Sequence, residues 1–330
     1  MLKKDLGLLI LILIVGVVVA AINPRFLSPA NLSNTANLIG LFGIFSIGVG
    51  FVIITGGIDL SIGAVFALLG VIFMSLLSDK GVNWALASAI IVAAGLGVGL
   101  FHGLLVTRLH IQPFVVTLCG LLIYRGLARY YTDDGTAGLG FGQSLPTLEW
   151  LTMGQLAGVP NSFIAFVIIA LIMALLLHKS VFGRYLFAVG KNEEAARYSG
   201  INTRLVTISA YVICSGLAGL SAIYFAMYTR SVAPASHGNF YELYGIAAAV
   251  LGGCSLRGGE GSILGIALGV VLLQVLQNLV NLLGIPSSLN FAVMGGVIIL
   301  GVLIDGQLQA LHKRRAASRP RVNAAPRAKA

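Results

Sequence analysis

Ten apolar runs, each long enough or nearly long enough to cross a bilayer, leave this chain few folds to choose from. They cover residues 6–22, 36–55, 60–78, 84–106, 111–131, 163–178, 203–228, 241–256, 262–283 and 288–306. A helix needs about 20 predominantly apolar residues to span the hydrocarbon. Charged residues make up 10% of the sequence, against about 25% in a soluble domain, too few to clothe a water-facing surface. The expected fold is therefore all-α, a polytopic helical membrane protein of about ten transmembrane helices spanning 1–306. The forty-two glycines suit close helix contact in lipid. The first run follows Lys3 and Lys4 as a signal peptide would, but no clean small-residue cleavage site comes after it, so it is read as a retained span.

Basic residues set the orientation, because cytoplasmic loops carry an excess of Lys and Arg. Ten crossings with both termini cytoplasmic place sixteen of the twenty-one basic residues inside and five outside. Making 60–78 re-entrant would turn most of the sixteen outward. Seven of them lie in the last eighteen positions, where there is no acid. This tail, from 307 to 330, is expected to be disordered and held at anionic headgroups. The formal charge of +10 thus reflects a membrane-associated tail and not a nucleic-acid surface. Cys119, Cys214 and Cys254 are far apart in apolar runs, with neither disulfide nor zinc spacing, and read as packing residues.

Two loops stand out. The outer one, 132–162, holds Asp133-Asp134-Gly135, Pro146, Trp150 and Pro160, and suggests a segment lying at the interface. The inner one, 179–204, contains a helix signal with both ends marked. Gly190 and Lys191 precede Asn192, a good N-cap. Glu193 and Glu194 favour the positive end of the helix dipole, Ala195 continues the turn, Arg197 sits toward the negative end, and Gly200 can stop the helix. Two turns are unstable alone in water, so this helix must rest on something. Headgroups and a cytoplasmic partner both qualify.

Several motifs in order carry a family resemblance. Gly56-Gly57-Ile58-Asp59-Leu60-Ser61-Ile62-Gly63, Pro113-Phe114-Val115-Val116-Thr117-Leu118, Gly183-Arg184 through Gly200, Ile246-Ala247-Ala248-Ala249-Val250-Leu251-Gly252-Gly253 and Gly258-Gly259-Glu260-Gly261-Ser262 all resemble permeases of bacterial ABC importers for monosaccharides, the ribose-type group, as does the last span ending at Asp305. The resemblance covers nearly all of 36–306. It implies an inner-membrane permease working with a second permease chain (a copy or a relative), a cytoplasmic ATPase and a periplasmic sugar-binding protein. It also implies that the helix at 193–199 docks into the ATPase. His237-Gly238 departs from the small or glycine-rich pair usual there, and Cys119 and Cys254 stand where Gly or Thr is more common. His237 and the nearby Glu242 are expected at the outer side, as candidate contacts for the binding protein; Glu242 also reads as a first-turn acid.

No phosphate loop, H-E-x-x-H or G-x-S-x-G is present, so ATP and Mg belong on the partner ATPase and no catalysis is expected here. Gln274, Gln277, Asn278 and Asn281 share one helical face. They suit a neutral hydroxylated solute or, the commoner use of amides in membranes, a helix–helix bond in lipid. Asp59 is either a pathway acid or, more simply, the N-cap of a helix opening at Leu60 near the inner face. Arg125 and Arg129 are expected to reach headgroups. The rival from another class is a self-sufficient ion-coupled transporter with glycine-broken helices; few membrane acids are available for it.

Overall fold

The computed structural model describes residues 2–286 except 141, and positions 289, 292, 295, 296 and 299 beyond them. The run 288–306 and the tail 307–330 thus lie outside the described residues, almost entirely for the run and wholly for the tail. Twelve α-helices are described: α1 (Leu2–Ile22), α2 (Pro29–Ile54), α3 (Ile62–Ser78), α4 (Trp84–Arg108), α5 (Pro113–Tyr131), α6 (Pro146–Met153), α7 (Asn161–Lys179), α8 (Val181–Lys191), α9 (Glu193–Tyr198), α10 (Thr203–Thr229), α11 (Tyr241–Leu251) and α12 (Ile263–Leu282). Among them α2, α4, α7, α10 and α12 are each long and apolar enough to cross a membrane. The first nine apolar runs each coincide with one helix. The 241–256 run is the most shortened, ending at Leu251 where Gly252 and the left-handed Gly253 turn the chain.

α2 is the central post, buried at every residue from Ile39 to Ile54, with α7, α10, α11 and α12 packed around it. Its start meets the end of α12, where Asn31 and Asn278 exchange hydrogen bonds of 2.8 and 3.1 Å. α4 lies along α10 through a stripe of Gly95, Gly99 and Gly103. A Cβ at Gly99 would sit 2.6 Å from the Val212 Cα, so only glycine permits this backbone approach. Rings from four helices fill the centre: Phe45 of α2, Phe66 of α3, Phe225 of α10 and Tyr241 of α11, with neighbouring centroids 5.1–5.3 Å apart.

Two helices begin inside the bundle. After α2 the chain turns at Gly56 (φ +85°), runs without helical structure through Ile58–Ser61, and only then opens α3. After α10, residues 233–240 fold inward before α11 opens, and Gly238 lies against Gly63 and Phe66. α11 has 11 residues and covers about 16 Å, half a hydrocarbon core of about 30 Å.

The bundle has two distinct ends. At one, α6 lies across the 132–162 loop, tied by Glu149 to Arg230 at 2.5 Å, with Trp150 exposed. Asp134, in this loop, is held below the usual carboxylate range, first by its hydrogen bond from Arg129 and then by that guanidinium's charge. At the other end sit α8 and α9. α8 falls outside the ten apolar runs; Ser180 caps it by accepting from the Gly183 amide at 3.1 Å.

Candidate functional site

α9 is built as its sequence signals suggest. The Asn192 side chain accepts from the Ala195 amide at 2.9 Å, Glu193 and Glu194 occupy the first turn, and Gly200 (φ +83°) turns the chain out. Of its six residues only Ala196 is buried; Glu193, Glu194, Ala195, Arg197 and Tyr198 all face outward. Tyr198 is 84% exposed, an aromatic ring standing away from the fold.

Sequence motifs about 200 residues apart converge beneath this helix. Gly190, near the end of α8, rests on the Ile54 carbonyl and the Gly259 amide, and Gly259 donates to that same carbonyl at 2.8 Å. Gly258 (φ +83°) lies against the Gly190 carbonyl and the Gly56 amide. Lys191 pairs with Glu260 across 3.1 Å of exposed surface. The Gly56-Gly57 and Gly258-Gly259 motifs are thus two halves of one backbone junction, and α8–α9 is seated on it.

Asp59 lies above that junction and corrects the cap reading. The helix opens at Ile62, with Ser61 in the cap position, and Asp59 instead folds onto Ser61, accepting from its amide at 2.9 Å and its hydroxyl at 2.6 Å. It is wholly buried, with its second oxygen 3.9 Å from His102 Nδ1. His102 Nε2 in turn hydrogen-bonds Tyr124 at 2.9 Å, and the Thr117 hydroxyl donates to the Ile58 carbonyl at 3.3 Å. His102 and Tyr124 escaped notice because nothing in a linear pattern places α4 and α5 beside Asp59.

Arg125 does not reach headgroups. It turns into the protein and donates to the carbonyls of Pro234 at 2.8 Å, His237 at 2.7 Å and Gly63 at 3.2 Å. Non-helical backbone inside a bundle leaves carbonyls without intrahelical partners, and a guanidinium with five donors satisfies several at once. Glu242 is 7% exposed and takes the Gly63 amide from the other side. The outward contact expected of Glu242 is therefore corrected. Its carboxylate closes the junction of α3 and α11, and His237 is half-buried beside Phe225.

The amide stripe divides. Asn278 binds Asn31 and Thr35 of α2, the latter at 3.1 Å, so it joins helices. Gln274 is buried near Phe42, Ser46 and Tyr244, Gln277 is half-buried, and Asn281 is exposed. Cys214 and Cys254 are buried packing residues, whereas Cys119 is exposed on α5.

Residues 31–302 match the family model described as the branched-chain amino acid transport system / permease component. The ribose import permease protein of Escherichia coli (strain K12) is 36% identical over 301 residues, covering 91% of this chain and 93% of that protein. That of Bacillus subtilis (strain 168) is 38% identical over 301 residues, 91% of each. The fructose import permease protein of Bifidobacterium longum is 34% identical over 253 residues, covering 77% of this chain and 71% of that protein. No solved structure matches. By its match from the first turn of α2 through α12 and its likeness to import permeases, the chain belongs to the permease-component family of branched-chain amino acid transport type.

Proposed function

We propose that this chain is the membrane-spanning permease subunit of an ATP-driven importer carrying a monosaccharide or a similar small polar solute across a bacterial inner membrane. The single observation that carries the reading is α9, a capped helix with five of six residues facing outward, in a chain akin to ribose and fructose import permeases. ATP and Mg act on a separate cytoplasmic ATPase, a sugar-binding protein delivers solute at the α6 end, and a second permease chain completes the core. Both termini are cytoplasmic in ten crossings. The grouping of Lys179, Arg184, Lys191, Arg204 and Arg257 at the α8–α9 end supports that orientation. An ion-coupled transporter is not the reading, since the relatives named above are import permeases.

In mechanism, α9 moves with the ATPase and α8 carries that motion to the glycine junction. The junction joins the α2–α3 break to the turn after α11, so one displacement reaches both helices that begin inside the bundle. Rigid-body movement of this kind is a standard way to alternate access.

The Glu193→Ala/Arg197→Ala double variant tests the docking role. Both side chains are exposed, so folding and insertion should be unchanged, while D-ribose uptake falls about tenfold or more and the ATPase no longer co-purifies in mild detergent. Normal uptake at normal abundance would remove α9 from the coupling role.

A further inference from the structure

Residues 235–240 present a combination that lipid does not tolerate. Ala235, Ser236, Asn239 and Phe240 are exposed, yet their backbone is not helical. They are also deep. Gly238 packs on Gly63, fifteen residues and about 22 Å from the end of α3 at Ser78. From the other end, α11 sets its first residue about 16 Å in. Irregular backbone at that depth survives only if it is covered by protein or lines a water-filled cavity. Arg125 grips the inward carbonyls of Pro234 and His237, which fixes the loop and turns its other side outward.

That outward side has the makings of a sugar contact. Phe240 is 48% exposed and sits at φ +65°, a left-handed conformation that is an outlier for a bulky aromatic residue and costs about 1–3 kcal/mol. The exposed part of the ring is an apolar face open to whatever fills the space outside the loop. Asn239 beside it is exposed and carries an amide able to donate and accept.

We infer that the 235–240 loop lines the translocation pathway, with the Phe240 ring stacking on the C–H face of a sugar in transit and Asn239 bonding its hydroxyls. The inference rests on the import reading above, and its test separates the two. In the assembled transporter, with Cys119 replaced by Ser, Asn239→Cys should react with a charged, membrane-impermeant thiosulfonate. Modification by a lipophilic maleimide alone, or by neither reagent, means that the loop is sealed by lipid or protein and overturns the inference. Phe240→Ala should raise the KM for D-ribose uptake about tenfold, the size of one aromatic contact, at unchanged abundance in the membrane, and Phe240→Tyr should restore it. An alanine variant with unchanged KM overturns the role given to the ring. Labelling requires no sugar. A parent that labels with the charged reagent but takes up neither D-ribose nor D-fructose therefore places the loop in a pathway and refutes the sugar reading alone.

Discussion

Valine at position 190 should reduce uptake to background in a protein that still reaches the membrane. A Cβ there would overlap the Ile54 carbonyl oxygen and the Gly259 amide nitrogen, the two ends of a 2.8 Å hydrogen bond. Both obstacles are backbone, so no rotamer change relieves them. Overpacking of this kind costs about 1–3 kcal/mol in an ordinary core, and here it falls on the joint between α8–α9 and the two inner helix starts. Gly190→Val should therefore lose D-ribose uptake by about tenfold or more per inserted molecule, and Gly190→Ala should fall in the same direction by less. The Lys191→Ala/Glu260→Ala variant is the control. That pair is exposed and worth about 0–1 kcal/mol, so uptake should stay within about twofold. A valine variant with normal uptake would show that the junction transmits nothing.

Arg125→Ala should be the most destabilising single change away from the glycines. It removes donors from three carbonyls on two separate segments and leaves Glu242 buried without the opposing charge. Leaving a buried carbonyl without its donor costs about 1–3 kcal/mol. The result should be a large fall in inserted protein and in detergent melting temperature. Adding Glu242→Gln to Arg125→Ala should raise the melting temperature above that of the single variant, because the orphaned charge is gone. If the double variant is less stable than Arg125→Ala, Glu242 and Arg125 are not electrostatic partners and the joint between α3 and α11 is held by packing.

The helices were legible because lipid leaves little choice: a long apolar run must be helical, and caps such as Asn83 and Ser262 mark where it starts. α9 was legible for the same local reason, with Asn192, Glu193 and Gly200 in order. Depth was not. Charge counting put Asp59 near an end of the bundle, since it follows Gly56-Gly57, but the chain turns back into the bundle between Gly57 and Ser61. Arg125 illustrates the same limit. Counting along α5 gives its height, while the carbonyls that draw it inward lie on segments 62 and 109–112 residues away. The amide stripe at 274–281 shared one face as expected, yet that face passes from α2 to the surface, so Asn278 and Asn281 have different neighbours.

The most direct test is solute uptake by vesicles containing this permease with its ATPase and binding protein, loaded with ATP or with a non-hydrolysable analogue. Accumulation of D-ribose or D-fructose should require hydrolysable ATP and the binding protein, and should persist when proton and sodium gradients are collapsed. Uptake that continues without ATP and stops with the ion gradient would contradict the importer reading outright.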